Sequence, residues 1–453
     1  MCTLVSKYNV AGPRYTSYPT VPYWDQDKFS LKNWKKAVKQ SFDESNLKEG
    51  VSLYIHLPFC EQMCTFCGCT KRITKNHKVE RPYIEAVLEE LRMYVRLVGR
   101  LPLIKQIHLG GGTPTFFSSK NLDILMQGIL KLSKLSENIE FSFEGHPNNT
   151  TKEHLQTLAA YGFKRVCYGV QDYSPKVQKA IARIQSFENV AKATATARQL
   201  GYTSVGHDII YGLPFQLKYD IINSINKTIA IRPDRIAFYS YAHVPWIKGN
   251  GQRGFKTEDL PNPQQKAIQY EIGKDMLLDA GYEEIGMDHF ALPSDQLANS
   301  KRTGHLHRNF MGYTSSKTQL MIGLGVSAIG DSWYGFAQNV KSVEEYQSLV
   351  KEGIFPVYRG HTLTDEDLII RTHILNLMCQ FETSWQDDTL YFSELPDVLI
   401  KLKELENDGL VHIDTKKITI TEKGKPFVRN ICLPFDLRLQ RKKPNTQLFS
   451  MTV

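Results

Sequence analysis

Short apolar, β-branched segments alternate with amphipathic segments through the first half of the chain. The apolar segments predict strands at 51–59, 105–110, 138–143, 165–170, 205–211 and 235–241. Helical periodicity between them predicts helices at 83–98, 121–132, 152–161 and 186–200. Strands that alternate with helices at this spacing are typical of parallel βα units. Six units predict an α/β fold, an incomplete (β/α)6 TIM-like barrel, with a doubly wound sheet as the alternative. In either fold, chemistry is expected at the carboxyl ends of the strands.

The alternation fades after about residue 245. Beyond it, the pattern predicts a helix that begins within 261–269, one further strand at 281–290 and an apolar strand lining a pocket at 323–330. The last segment predicts helices at 365–378 and 393–405, a two-stranded wing and another helix. The predicted domains are an N-terminal arm (1–48), the barrel with its extension (49–360), and a C-terminal, mostly helical, winged-helix-like domain (361–453).

Composition is that of an ordinary globular protein, with 42% hydrophobic and 23% charged residues among 453. The chain lacks a run of about eighteen apolar residues and an apolar signal core at its start, so we expect no membrane insertion and a cytoplasmic location. The net charge of +9 is spread along the chain. The predicted helix at 393–405 carries only two lysines beside acidic residues, a poor surface for phosphates, so no nucleic-acid partner is expected.

Four of the eight cysteines fall within ten residues, in PFCEQMCTFCGCT. Cys60, Cys64 and Cys67 follow a C-x3-C-x2-C spacing directly after the first predicted strand. In a cytosolic protein of this size, such a cluster indicates metal rather than disulfides. Three thiolates on one loop can bind three irons of a [4Fe–4S] cluster and leave the fourth iron open to another ligand. Structural zinc is the alternative, but zinc favours two C-x2-C pairs, and no second pair follows.

The cysteine loop and the segment HLGGGTPT (108–115) resemble the radical S-adenosylmethionine superfamily. More narrowly, motifs through nearly the whole chain are similar to the oxygen-independent coproporphyrinogen III oxidases. These motifs are GPRYTSYPT (12–20), LYIHLPFCEQMCTFCGC (53–69), GVQD (169–172), DIIYGLP (208–214), YAHVP (241–245), IGMDHFA (285–291), LHRNFMGYT (306–314), GLGVSAIG (323–330) and RNIC (429–432).

The resemblance implies a radical oxidoreductase. A [4Fe–4S] cluster and S-adenosylmethionine would form a 5′-deoxyadenosyl radical, which drives oxidative decarboxylation of two propionates of coproporphyrinogen III to vinyl groups, giving protoporphyrinogen IX in haem biosynthesis. An electron donor and an electron acceptor are implied but not identified, and a monomer is expected. The alternative is a related haem chaperone that binds S-adenosylmethionine without decarboxylation. Such chaperones typically carry Phe at the position of Cys69 and lack the GPRYT arm.

The resemblance also implies a set of site residues, matched motif by motif. The metal ligands are Cys60, Cys64 and Cys67, with Cys69 outside the set. Tyr54 and Glu144 are given catalytic as well as cofactor-binding roles. The other residues expected to bind S-adenosylmethionine, in one molecule or two, are Phe66, Gly111, Gly112, Thr113, Gln171, Arg183, Asp208, Ala242 and Ile329. Glycine at 111 and 112 lets the backbone approach a ligand closely.

Two positions depart from the family pattern. His146 stands where the family usually has Asp, and Met311 stands where it usually has Gln. A methionine cannot replace the hydrogen bonds of an amide, so substrate placement there is expected to differ. Arg14 and Arg308 are the candidates for binding the carboxylates of the substrate.

Overall fold

A computed structural model describes residues 2–246, 251–252 and 254–452. Its strands are β1 (Val51–Leu57), β2 (Phe59–Cys60), β3 (Arg72–Ile73), β4 (Leu103–Gly111), β5 (Lys134–Gly145), β6 (Phe163–Gln171), β7 (Ser204–Tyr211), β8 (Arg235–Ser240), β9 (Glu283–Gly286), β10 (His289–Ala291), β11 (His307–Asn309), β12 (Gly312–Thr314), β13 (Leu320–Leu324), β14 (Ile329–Asp331), β15 (Gly335–Asn339), β16 (Val357–Thr362), β17 (Glu382–Ser384), β18 (Val411–Ile413) and β19 (Lys417–Ile420). Its helices are α1 (Cys2–Tyr8), α2 (Leu31–Ser45), α3 (Glu80–Val98), α4 (Ser119–Lys131), α5 (Lys152–Ala160), α6 (Pro175–Ala180), α7 (Phe187–Gln199), α8 (Lys218–Ile231), α9 (Pro263–Asp279), α10 (Gln296–Arg302), α11 (Val343–Lys351), α12 (Asp365–Gln380), α13 (Leu395–Asn407), α14 (Val428–Cys432) and α15 (Leu437–Arg441). None of the helices in these described ranges is long and apolar enough to cross a membrane.

The main sheet carries the six predicted parallel strands in chain order, β1-β4-β5-β6-β7-β8. β13 adds in parallel beside β1, and antiparallel strands extend both ends of the sheet, β14 to β16 on one side and β10 with β9 on the other. A doubly wound sheet would reverse its strand order at a switch point. Because these strands follow one another without reversal and the sheet does not close on itself, the incomplete (β/α)6 barrel is confirmed.

The two faces of the parallel strands differ in polarity, since successive side chains point to opposite faces. One face packs fully buried apolar side chains, such as Ile55 and Phe143, into the core beneath the helices. The other face is polar: His108 Nδ1 lies 2.8 Å from Ser142 Oγ, and Arg165 Nη2 donates to the same oxygen at 2.8 Å. The inside of the barrel is therefore lined with groups that can bind polar ligands.

The hairpin β11–β12 lies against this polar inner face. At its tip, the Phe310 ring contacts the Tyr54 ring edge-on at 4.7 Å. Near its base, Gln106 Nε2 donates to Thr314 Oγ1 at 3.1 Å. The hairpin thereby covers the lower part of the barrel interior and leaves the carboxyl ends of the strands open.

Three predicted strands differ in the structure. The predicted strand at 323–330 is divided between the end of β13 and the start of β14, which pair antiparallel. The prediction of one strand at 281–290 is wrong: the segment is an antiparallel hairpin, β9–β10, whose turn places Asp288 at a φ of 65°. Asp tolerates this left-handed conformation better than most residues, which permits the turn. The predicted strand at 51–59 is broken at Pro58, whose nitrogen has no hydrogen to donate to a ladder. The break separates β1 from β2 and begins the cysteine loop.

The last module has the winged-helix-like form that the sequence predicts. α12 and α13 precede a wing in which β18 pairs antiparallel with β19. A third strand, β17, pairs with β19 on its other side and was not predicted, because three residues carry too little periodicity.

The N-terminal arm packs into the core of this last module. Tyr8 and Tyr15 are buried there, and the Tyr8 ring lies 5.6 Å from the Phe427 ring. Ala11 and Met451 form an antiparallel bridge. The two ends of the described chain are thus held side by side.

Candidate active site

The cysteine loop connects β2 to β3 and carries Cys64 and Cys67, while Cys60 ends β2. The two short strands pair in parallel. The loop rests on the connection after α6, where Thr65 N donates to Ile181 O at 3.0 Å. All three cysteines are half-buried. A loop anchored at both ends and in its middle presents three thiols from one short stretch of backbone.

A cavity of about 490 Å³ opens beside this loop, at the carboxyl ends of the parallel strands. The predicted site residues that line it are Cys60, Cys64, Phe66, Cys67, Gly111, Gly112, Thr113, Glu144, Gln171, Arg183 and Asp208. In the part of the chain that the structure describes, no three His, Cys, Asp or Glu side chains are placed to share one metal ion. Three thiols on one short loop fit a [4Fe–4S] cluster, in which each thiolate would bind a separate iron.

Positive charge surrounds the cysteine sulfurs. Arg183 Nη1 lies 3.8 Å from Cys64 Sγ, and Lys71 Nζ donates to Cys67 O at 3.3 Å. A hydrogen bond from Cys69, followed by the charges of Lys71 and Arg183, lowers the pKa of Cys67. Burial instead raises the pKa of Cys60 to about 11. Because the thiolate is the form that binds metal, these neighbours would favour metal binding at Cys67 first.

The two glycines at the end of β4 are required by close packing beneath the cysteine loop. Gly111 has a φ of 113°, and a Cβ there would lie 2.8 Å from the His56 ring. A Cβ on Gly112 would lie 2.6 Å from Pro58 O. Thr113 follows, with its Oγ1 3.3 Å from Cys60 Sγ. The glycines therefore allow the close packing that positions the loop.

Glu144 ends β5 and faces the cavity with its side chain about half exposed. Gly111 N donates to Oε2 at 3.2 Å, and His108 Nε2 lies 3.3 Å from Oε1. The carboxylate is thus held along one edge, and its remaining acceptor sites face the cavity. This arrangement suits an ammonium or hydroxyl donor on a ligand.

Asp208 lies on β7, beside Cys167, which the sequence did not indicate as a site residue. Cys167 Sγ, on β6, donates to Asp208 Oδ1 at 3.2 Å. Burial, together with the charge of Glu144, raises the pKa of Asp208 to about 7. Period-two alternation on β6, which places Cys167 on the same face as Arg165, is the signal that could have identified it.

Arg183 is fixed by the end of β6. Its Nη2 donates to Gly169 O at 2.5 Å, while Nε is buried without a hydrogen-bond partner within the described residues. Gln171, which ends the strand, has a φ of 69°. This bend turns the chain away from the sheet and leaves the guanidinium group between the strand end and the cysteine loop.

The chain is similar to known proteins over nearly its whole length. The family model of the Radical SAM superfamily matches residues 54–227. The oxygen-independent coproporphyrinogen III oxidase of Escherichia coli (strain K12) is 38% identical over 460 residues, which cover 99% of this chain and 98% of that protein. The chain belongs to the oxygen-independent coproporphyrinogen III oxidase family. The enzyme of the same name from Helicobacter pylori (strain J99) is 38% identical over 443 residues, 96% of each chain. The solved structure of coproporphyrinogen III oxidase from E. coli, a radical SAM enzyme, superposes with a TM-score of 0.88 at 36% identity and covers 96% of this chain and 98% of that one.

Three residues expected in the site of an oxygen-independent coproporphyrinogen III oxidase do not line the cavity. Tyr54 is buried one layer below it, with its hydroxyl 3.0 Å from His56 Nδ1. Ala242 O accepts from Gln252 Nε2 at 3.0 Å. Ile329 opens β14 beyond the other edge of β13. The roles assigned to these three residues, and to the residues that do line the cavity, stay predictions.

Ala242 is nevertheless connected to the cysteine loop. The same Gln252 Nε2 donates to Phe66 O at 2.9 Å. Gln252 therefore bridges the segment after β8 and the loop, a connection that no sequence motif indicates.

His146 takes over a structural task at the position where the oxidase family usually has Asp. Its Nδ1 accepts from Asn148 N at 3.1 Å. Burial, and then the charge of Arg183, lowers the pKa of His146 to about 3. The ring is consequently neutral and can accept the backbone hydrogen that an aspartate would accept in an Asx turn. The backbone at Asn148 is therefore hydrogen-bonded with His at position 146.

Met311 lies on the β11–β12 hairpin. It packs with Phe310 against the small apolar cluster of Tyr54, Met321 and Ala328. An amide at position 311 would instead offer hydrogen bonds beside the Tyr54 ring. This oxidase accordingly has a more apolar surface there than the family pattern predicts.

Proposed function

We propose that this chain carries out the anaerobic oxidative decarboxylation of two propionates of coproporphyrinogen III, giving protoporphyrinogen IX. The family shown above supports this reaction. The observation that carries the proposal is the convergence of Cys60, Cys64 and Cys67 with Glu144 and Asp208 on one cavity at the carboxyl ends of the strands.

A [4Fe–4S] cluster and S-adenosylmethionine, when bound, supply a radical that can remove hydrogen from an unactivated carbon. Cys60, Cys64 and Cys67 would hold the cluster. We propose that Glu144 and the backbone at Gly112 bind the amino-acid part of S-adenosylmethionine, since both face the cavity beside the loop.

The remaining polar residues of the cavity fit a second S-adenosylmethionine. Gln171, Arg183 and Asp208 line its deeper wall. A carboxylate at 208 would attract a sulfonium cation, and the guanidinium group at 183 would bind a carboxylate. We propose Tyr54 as a positioning residue, which acts through His56.

Arg308 is the proposed partner of a substrate carboxylate. The residue is 4% exposed, and its Nε and Nη1 have no hydrogen-bond partner within the described residues. Its Nη2 donates to Arg14 O at 3.3 Å. Arg14 in turn lies 5.9 Å from the centre of the Tyr239 ring, which lines the cavity. Burying a guanidinium with two donors that lack acceptors costs free energy. A propionate of the substrate would accept hydrogen bonds from both donors and offset that cost.

The arm contributes to this substrate end. Arg14 pairs with Asp288 on the β9–β10 turn, and Arg429 Nε donates to Pro13 O at 2.9 Å. The arm is thereby held between the barrel extension and the last module. We propose the division into 1–48, 49–360 and 361–453, and action as a monomer, because one copy supplies every residue that the site is proposed to use.

The proposed reaction is tested with full-length protein reconstituted anaerobically with iron and sulfide and reduced with dithionite. With S-adenosylmethionine and coproporphyrinogen III, we expect 5′-deoxyadenosine and carbon dioxide to form together with protoporphyrinogen IX. Cys64→Ala should bind less iron and form neither product, whereas Cys379→Ala, a core change in α12, should retain both. Binding of haem without release of carbon dioxide would support a haem chaperone instead.

Arg308→Gln tests the substrate end separately. Loss of a charged hydrogen bond to a propionate corresponds to about 1.5–3 kcal/mol, so KM for coproporphyrinogen III should rise about tenfold or more. Affinity for S-adenosylmethionine should not change. The matched control is Arg302→Gln, an exposed arginine of α10. An unchanged KM in Arg308→Gln would refute the assignment.

A further inference from the structure

A thiol outside the cysteine loop, that of Cys167, also lines the cavity. Cys167 pairs with Glu144 in the β5–β6 ladder and with Gly206 in the β6–β7 ladder, two residues before Asp208. The charges of Glu144 and Asp208 both act on the thiol. Cys167 therefore lies between two carboxyl groups that are proposed to bind S-adenosylmethionine.

The thiol is hydrogen-bonded to only one of these carboxyl groups. Cys167 Sγ donates to Asp208 Oδ1 at 3.2 Å. Asp208 accepts no hydrogen bond from any other residue that the structure describes. One oxygen of Asp208 is thus held by the thiol, and the other remains available to a ligand in the cavity.

Packing and charge keep this hydrogen bond in place. A Cβ on Gly206 would lie 3.0 Å from Cys167 Sγ, so a side chain at 206 would press on the sulfur. Burial, and then the charge of Asp208, raise the pKa of Cys167 well above its usual range. The group consequently stays protonated, and only a protonated thiol can donate to a carboxylate.

Three other titratable or charged groups face Asp208: Glu144 on β5, Arg183 after α6 and Tyr239 on β8. Burial, followed by the charge of Glu144, opposes ionisation of Asp208, whereas the hydrogen bond from Cys167 and the charge of Arg183 favour it. Tyr239 stays neutral, because burial raises its pKa well above the usual range. Cys167 therefore differs from these groups in holding Asp208 by direct contact.

We propose that Cys167 is a positioning residue, whose S–H orients the Asp208 carboxylate for the sulfonium cation of the second S-adenosylmethionine. The hydrogen bond also stabilises the ionised form of Asp208, which is the form that attracts a cation. No covalent bond forms and the thiol keeps its proton. This inference rests on the proposed function, because binding of S-adenosylmethionine at Asp208 is itself a proposal.

The test compares Cys167→Ala with Cys167→Ser in full-length protein reconstituted anaerobically with iron and sulfide. Alanine removes the donor, whereas serine keeps an O–H donor in a side chain of similar size. Cys379→Ala is the matched control, because it makes the same change in the core of the last module.

Two measurements are made on each variant. Equilibrium dialysis gives the affinity for S-adenosylmethionine between about pH 6 and pH 9. Infrared difference spectra follow the ionisation of the Asp208 carboxyl group without S-adenosylmethionine, with Asp208→Asn in the same background identifying its band.

Cys167→Ala should raise the midpoint of Asp208 ionisation by about one pH unit, because the ionised form loses its hydrogen bond. Affinity for S-adenosylmethionine should then fall about fivefold at pH 7, with a smaller difference at pH 9. Cys167→Ser should restore both values toward those of the natural chain, and the control should leave them unchanged.

An unchanged midpoint in Cys167→Ala would overturn the inference, and so would a serine variant that behaves like the alanine variant. A shifted midpoint with unchanged affinity would instead refute the proposed role of Asp208 in binding S-adenosylmethionine. The infrared measurement therefore separates failure of the inference from failure of the proposed function.

Discussion

Asp208 changes its charge near neutral pH within the cavity. Burial and the neighbouring Glu144 raise its pKa to about 7, so the carboxyl group is mostly neutral at pH 6 and mostly ionised at pH 8. If the carboxylate attracts a sulfonium cation, affinity for S-adenosylmethionine should rise up to about tenfold between these values. Asp208→Asn should bind more weakly, with no such dependence. Equilibrium dialysis at several pH values measures both, and a matching pH profile in the variant would contradict the proposal.

Gly112 tests whether close packing positions the cysteine loop. Its substitution by Ala would place a methyl group 2.6 Å from Pro58 O, against backbone that cannot rotate away. We expect displacement of the loop, a loss of about 1–3 kcal/mol in stability and reduced iron content after reconstitution. Gly68→Ala is the control in the same loop, because a Cβ there would meet nothing within 4 Å. Equal iron content in the two variants would show that packing at 112 is unimportant.

At the scale of elements, Glu90 ties α3 to the strands beyond β13. The side chain is fully buried and accepts from Gly325 N at 2.9 Å, from Tyr346 Oη at 2.7 Å and from Asn339 Nδ2 at 2.7 Å. Burial raises its pKa from 4.5 to about 7. The folded chain therefore holds a proton that the unfolded chain releases above about pH 4.5.

The raised pKa of Glu90 predicts a pH-dependent contribution to stability. The contribution is complete below pH 4.5 and is lost as pH rises toward 7, by about 3 kcal/mol in all. Glu90→Gln cannot titrate at this position. The unfolding free energy of the natural chain should therefore fall, relative to that of the variant, from pH 5 to pH 8. Urea unfolding at both values measures it. A difference that does not vary with pH would exclude Glu90 as the titrating group.

The elements that could be predicted are those with a strong period of their own. The six parallel strands and the helices between them follow from alternating apolar segments, and the cysteine loop follows from its spacing. The β9–β10 hairpin could not be predicted, because each strand is too short to show a period. Alternation along β6 places Cys167 on the inner face, but its contact with Asp208 in the adjacent strand could not be predicted from the local sequence. The environment of Arg308 depends on Arg14, which is distant in sequence, and no local pattern records that contact.

At the scale of the whole molecule, a buried carboxylate joins the last module to the rest of the chain. Asp367 on α12 accepts from Arg438 Nε and Nη2 at 2.6 and 2.7 Å, and lies 3.2 Å from His361 Nε2. His361 Nδ1 accepts from Asp25 N at 3.0 Å. Burial alone would raise the pKa of Asp367, but these hydrogen bonds hold it below its usual range. Its contribution to stability is therefore present above pH 4 and is lost as the medium becomes more acidic.

Arg438→Ala should destabilise the last module strongly. It leaves Asp367 buried without its bidentate partner, a loss of about 3–5 kcal/mol. Arg441→Ala is the control three residues along α15, since Arg441 pairs with Glu366 while half exposed, and such pairs contribute about 0–1 kcal/mol. Chemical denaturation with limited proteolysis compares the two variants. Equal stability would mean that burial does not decide the strength of this ion pair.

The meeting of the two chain ends has a consequence for the order of assembly. The N-terminal arm is synthesised before its partners, since Met451 and Phe427 follow it by more than 400 residues. The barrel strands pair with close neighbours in sequence and can form earlier. During synthesis, the cysteine loop is therefore built before the last module exists. If the loop holds a cluster, as proposed, iron can reach it before the last module packs against the arm.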